Sequence, residues 1–235
     1  MWRPLLRSIL GMKKLWSPLI SGLWAALVPA LSAADLAVSV SDKEPPKELG
    51  DAIRPTLPAK AVQVLDGNKP AFEFWFVKEV PLKSKPASLA KALDALAPAT
   101  LLGAVSVSSA TRDYRDDELP AGVYTIRFAL QPQDGNHSGS TDYNYFAVLV
   151  PARLDPAPDA LTTYKAVVKA SAKETSTEHP HVMSLRPATA EAGDQPQIKE
   201  PAPEHKSLLL KLPAKAGAEK TALAFELVCE GHIKK

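Results

Sequence analysis

The chain has 235 residues, 46% of them hydrophobic and 23% charged, a size and balance that suit one compact domain. Its formal charge of +2 rests on a leader: residues 1–34 hold Arg3, Arg7, Lys13 and Lys14 and no acid, so the remainder carries 24 basic against 26 acidic side chains, a net −2. That balance removes the main reason to expect a nucleic-acid or anionic-membrane binder. The single cysteine, Cys229, excludes an internal disulfide, a CxxCH haem attachment and any multi-cysteine zinc site.

The leader comes first in chain order. Residues 12–34 read MKKLWSPLISGLWAALVPALSAA: two lysines, an apolar run from Leu15 to Leu31, then Ser32, Ala33 and Ala34. This is the build of a secretory signal peptide, with cleavage between Ala33 and Leu36. Ser17, Pro18, Ser21, Gly22 and Pro29 make the run a poor membrane span, and no basic stop-transfer cluster follows. Met12 opens a complete signal peptide by itself, so the translation start is expected there and not at Met1. The expected destination is the periplasm or the space outside the cell, with no membrane span after cleavage.

The exported chain, residues 35–235, reads as one domain in which apolar and polar residues alternate with the period of half-buried strands. Strands are expected at Leu36–Val40, Ala61–Leu65 and Ala71–Val80, the last with Phe72, Phe74 and Phe76 on one face and Glu73 and Trp75 on the other. Leu101–Val107 follows, then Gly122–Leu130, where Tyr124, Ile126, Phe128 and Leu130 oppose Thr125 and Arg127. Tyr143–Val150, His181–Leu185 and Ser207–Leu212 come next. A last strand sets Leu223, Phe225, Leu227 and Cys229 against Glu226 and Glu230. Turn chemistry separates them at Asp66-Gly67-Asn68, Pro120-Ala121-Gly122 and Asp134-Gly135-Asn136.

Helical signals are short: a turn or two over Leu49–Ile53, a stripe of Leu89, Leu93 and Leu96 within Pro86–Ala97, and a helix from an Asp159 cap to about Ala172. In that helix Leu161, Tyr164 and Val168 are expected inward, with Lys165, Lys169 and Lys173 outward. Residues 188–204, rich in Pro, Glu, Ala and Gln, read as an exposed mobile loop. The expected fold is mainly β: an antiparallel β-sandwich of eight or nine strands, immunoglobulin-like or transthyretin-like, with two or three short helices.

The block LPAGVYTIRFALQPQDGNHSGSTDYNYFAVLVPA, residues 119–152, is the most distinctive part. With AVQVLDGNKPAFEFWF (61–76), TLLGAVSV (100–107), DYR (113–115) and HPHVMSLRP (179–187), it resembles a family of uncharacterised exported bacterial proteins. The resemblance implies export and a single β-sandwich-like domain, and carries no activity. Where that pattern has a bulky apolar residue after Gly-Asn-His, this chain has Ser138.

Three constellations bear on chemistry. The first is the loop Gln131–Asp142, whose Asp134, Asn136, His137 and Asp142 are candidate ligand-binding residues on the tip of a rigid hairpin. Its oxygen donors also serve ordinary turns, and their spacing is not that of an EF-hand. Trp75 is a further candidate, since an outward indole can stack on a sugar, although a covering segment accounts for it equally well. The second is His179-Pro180-His181 with Met183, which with His137 makes a candidate zinc or copper site; the plain alternative is a polar loop entering a strand with Met183 in the core. The third is the run Arg112 to Glu118, where Asp113 or Asp116, or Asp134 elsewhere, would need to meet another acid in a cleft to act as a glycosidase does.

No GxSxG elbow is present, and Cys229 sits on an apolar face, inert by expectation. The leading expectation is an exported, non-enzymatic module that uses no cofactor, does not bind nucleic acid and takes an envelope protein or glycan as partner. It carries the corollary of a large exposed apolar patch. A periplasmic metal-binding protein and a carboxylate-dependent hydrolase are the alternatives.

Overall fold

Alternation of apolar and polar residues becomes a strand wherever one face finds a core, and this chain does so repeatedly. The computed structural model describes residues 36–132, 143–175 and 177–233. Its strands are β1 (Leu36–Asp42), β2 (Lys60–Asp66), β3 (Lys69–Phe76), β4 (Val80–Leu82), β5 (Leu101–Val107), β6 (Thr111–Arg112), β7 (Glu118–Leu119), β8 (Gly122–Leu130), β9 (Tyr145–Pro151), β10 (His181–Pro187), β11 (Gln197–Ala202), β12 (His205–Ala216) and β13 (Glu219–Glu230). One α-helix, α1 (Tyr164–Ser171), and short 3-10 turns complete the described residues.

The expected mainly β, antiparallel architecture is what forms, and it is compatible with a sandwich-like fold. A single sheet runs β1-β2-β3-β5-β8-β9-β10-β13-β12-β11, antiparallel at every step. Its outer strands β1 and β11 come near each other, so the sheet is almost closed like a barrel. Strand β4, just after β3, pairs in parallel with Ala214–Ala216 of β12 and so ties the first half of the sheet to the last. β6 and β7 form a separate small ribbon.

The inner face holds the main core. Phe72, Phe74 and Phe76 stack along β3 with ring centroids 5.8 and 5.6 Å apart, and Phe76 meets Phe225 of β13 edge-on at 6.4 Å. Tyr124, Ile126 and Phe128 of β8 and Met183 and Leu185 of β10 join the same cluster. The Tyr124 hydroxyl donates to the Pro120 carbonyl at 2.9 Å, a tyrosine corner of the sort that pins strands in β-sandwiches.

The outer face departs from the expected polar side, because two segments cover it. Residues 43–57 lie over β3, burying Leu49, Ile53 and Leu57 beside a fully buried Trp75. Residues 152–171 lie over β8, β9 and β10, where Val167 and Ala170 of α1 pack on Ala129, Val148, Val150 and Val182. Thr125, Arg127 and Glu73 are therefore buried rather than solvated, and Glu226 is likewise buried, accepting from Ser207 Oγ at 2.7 Å and Thr189 Oγ1 at 3.1 Å. Gly50 lies so close to the Pro156 backbone that a Cβ would collide with it, so the two covering segments touch.

Two local expectations change. The helix is capped by Thr163, whose Oγ1 accepts the Ala166 N–H at 3.2 Å, and Val167 and Ala170 are its buried apolar residues. Leu161 and Tyr164 pack at the edge of the same cluster, Val168 stays half-exposed, and Lys165, Lys169 and Lys173 point outward as expected. The stretch 188–204 contains β11, which pairs with β12, and Ala188 and Ala192 are buried against Leu209 and Ala224. Ladder bonds need no apolar side chains, so composition hid this strand.

Candidate functional site

Residues 134–142, and with them Asp134, Asn136, His137 and Asp142, lie outside the described residues; the base of their hairpin closes with the Gln131 N–H donating to the Asn144 carbonyl at 2.8 Å. Trp75 is not outward. It is 0% exposed, and its indole N–H donates to the Lys43 carbonyl at 2.9 Å, so the covering segment has taken the face a sugar would need.

His179 and His181 sit in different surroundings. His179 is exposed ahead of β10, whereas His181 is buried on it, with Nδ1 3.8 Å from Asp113 Oδ2 and its ring edge-on to Tyr124. Met183 is in the core. No group of three potential metal ligands gathers among the described residues.

Asp113 is buried but already engaged. Its Oδ1 accepts the N–H groups of Arg115 (2.8 Å) and Asp117 (3.0 Å), and its Oδ2 accepts that of Val182 (3.0 Å). The carboxylate thus folds the loop and moors it to β10. Asp116, at a left-handed φ of 67°, belongs to the same turn, and Arg115 pairs with Asp117 at 3.4 Å.

Cys229 is half-buried and packs against the core beside a bulge, where Lys206 faces Glu230 and Ser207 faces Val228. Enclosure pushes its thiol up to about 12 and Glu230 adds to this, against a smaller lowering from a backbone hydrogen bond at Leu208.

The feature that sequence reasoning missed is Arg127. Fully buried, it holds Asp155 through two bonds, Nε to Oδ2 at 2.7 Å and Nη2 to Oδ1 at 2.8 Å, and Thr125 Oγ1 donates to Oδ2 at 2.5 Å. Its other donors reach carbonyls: Nη2 to Ala157 (2.9 Å), and Nη1 to Ala99 (2.8 Å), Pro158 (3.0 Å) and Leu161 (3.1 Å). A guanidinium has five N–H groups in a fixed fork, so here the whole fork is committed. The only hint in the sequence was an arginine in an otherwise apolar strand with an Asp-Pro-Ala-Pro-Asp loop downstream.

Three of those carbonyls belong to residues that line an open groove of about 480 Å³ between the covering segments. Val77, Pro98, Ala99, Leu101, Pro158 and Leu161 make its apolar walls, with Lys78 and Glu79 also lining it. Ala99 has a left-handed φ of 70°, held by its N–H donating to the Phe128 carbonyl at 2.8 Å and its own carbonyl on Arg127. Backbone strain of this kind persists where surrounding bonds over-determine it, and it clusters at ligand sites. Large exposed hydrophobics are limited, among the described residues, to Val40 and Leu130, and no broad apolar patch of the expected kind forms from them.

Comparison with family models, curated proteins and solved structures finds no match. Among the described residues no helix is long and apolar enough to cross a membrane.

Proposed function

We propose that the chain is an exported, non-enzymatic binding module of the bacterial envelope, seating part of an envelope protein or glycan in the groove beside Leu161. One observation carries this reading: a fully buried arginine fixes the backbone of Ala99, Pro158 and Leu161, three residues of one apolar groove. A groove held rigid before binding spares the entropy of ordering its walls. The buried charges point the same way. Arg127, Asp155 and Asp113 are committed to bonds that organise loops. Export rests on the leader and on the family resemblance of residues 119–152.

The test places a photo-crosslinking residue at Leu161, and in a control at Lys220, in residues 34–235, exposed to solubilised envelope. Crosslinks confined to position 161 and abolished by Pro81→Arg across the groove are expected. Equal labelling from position 220, or none from 161, overturns the reading. N-terminal sequencing of the exported protein tests the export half, and a mature form that retains Trp24 contradicts it.

A further inference from the structure

We propose that the outer face of α1 is a docking surface for an anionic phospholipid bilayer. Lys165, Lys169 and Lys173 recur every fourth residue along α1 and its 3-10 extension Ala172–Glu174, which sets them in one row about 12 Å long. All three are exposed. Beside them runs a second row, Tyr164, Val168 and Ala172, half-exposed, and the two rows together line an open groove of about 630 Å³.

The charge of this face is one-sided. Among the described residues Glu178 is the sole acid lining the groove, and Glu174, the acid next to Lys173 in sequence, is paired with Arg153. The net charge of −2 for residues 35–235 conceals the cluster, because a surface field acts over roughly the 8 Å screening length at physiological salt and not over the whole chain. The helix is also fixed in place, since Val167 and Ala170 seat it on the sheet and Thr163 caps it.

Charge complementarity selects an anion, and the adjoining apolar row selects an amphiphilic one. A plain polyanion would satisfy the lysines and leave the half-exposed Val168 and the outer edge of Tyr164, which otherwise packs against the core, without an apolar counterpart. A bilayer interface offers phosphates to the ammonium groups and glycerol and upper acyl carbons to the tyrosine and valine, as interfacial helices use it. The proposal is independent of the groove beside Leu161, which lies among other residues.

The experiment is co-sedimentation of residues 34–235, which hold the whole sheet and its core as one compact unit, with vesicles. Vesicles of equal phosphatidylglycerol and phosphatidylcholine are compared with phosphatidylcholine alone. Binding to the anionic vesicles only is expected, weakened by salt. The triple change Lys165→Gln, Lys169→Gln and Lys173→Gln should lower partitioning on the order of 100-fold, from about a sixfold loss per lysine. Lys69→Gln, Lys215→Gln and Lys220→Gln together make the same net-charge change on other exposed surface and should leave it within about twofold. Val168→Ser should weaken binding with all charges in place. Equal losses in the two triple variants, no binding to either vesicle, or capture of soluble heparin without vesicle binding overturns the proposal.

Discussion

Replacing Arg127 with methionine keeps an unbranched apolar stem and removes the guanidinium. Asp155, 0% exposed, would then keep only the Thr125 hydroxyl of the partners described, and the Ala99, Ala157, Pro158 and Leu161 carbonyls would each lose a donor. Breaking a buried ion pair by removing one partner costs about 3–5 kcal/mol. Carbonyls that can turn to water add little to this, and those that cannot add about 1–3 kcal/mol each. Against a total stability of about 5–15 kcal/mol, Arg127→Met in residues 34–235 should shift the urea midpoint far down or prevent folding. The double variant Arg127→Met, Asp155→Leu removes the orphaned charge and should recover part of the loss. It should not restore order to residues 156–162, because the carbonyls still lack their donor. Hydrogen exchange separates the two effects: protection near Ala99, Thr100 and Leu161 should fall in both variants while the β12–β13 hairpin recovers in the double one. A single variant that loses less than about 1 kcal/mol, or that leaves exchange near Leu161 unchanged, refutes the role given to Arg127.

Trp75 is the only tryptophan in residues 35–235, so its blue-shifted emission should resist acrylamide in the folded protein, and Trp75→Phe should cost about 1–3 kcal/mol by orphaning the Lys43 carbonyl. Gly103→Ala should cost at least about 2 kcal/mol by thermal or urea unfolding, because a Cβ there collides with the Trp75 carbonyl across the β3–β5 ladder. Cys229 should react slowly with thiol reagents at pH 8, burial being the main cause of its raised value. Its proton is held more tightly in the folded than the unfolded chain, so the stability it contributes is present below pH 9 and lost as pH rises from 9 towards about 12. The loss should approach about 1.4 kcal/mol per pH unit. Tyr145, raised to about 12 chiefly by burial and also by its hydrogen bond to Asp94, acts with the same sign above pH 10. Cys229→Ala should therefore flatten the urea-midpoint slope from pH 9 upward, and the interval between pH 9 and 10 reads the Cys229 share free of Tyr145.

What the sequence made legible was whatever depends on local alternation. Strand β8, with Tyr124, Ile126 and Phe128 inward, and the β13 stripe of Leu223, Phe225 and Leu227 follow from period two alone. The outer face was not legible in the same way. Alternation says that Trp75, Arg127 and Glu226 point opposite to the core; whether that side meets water depends on segments far along the chain. Residues 43–57 and 152–171 cover it, and neither announces its destination in composition. The α1 stripe was read only in part: Lys165, Lys169 and Lys173 point outward and Leu161 and Tyr164 pack against the core as expected, but Val167 and the small Ala170 fit closest to the sheet and leave Val168 half-exposed. Strand β11 was missed because edge pairing is a backbone property, invisible in Gln197, Lys199 and Glu200. For the candidate site, the sequence offered His137, His179 and His181 by residue type, yet the groove is made by prolines and carbonyls, which carry no motif.

The most direct test of the groove as the binding surface is a methyl-resolved NMR titration of residues 34–235 with solubilised envelope components. Val77, Leu101 and Leu161 line the groove, and their methyl signals should shift or broaden together, while those of Val62 and Leu223 on other parts of the sheet stay in place. The same titration on Arg127→Met, where it folds, should lose this pattern. Binding that moves methyl signals elsewhere and leaves Val77, Leu101 and Leu161 untouched contradicts the account.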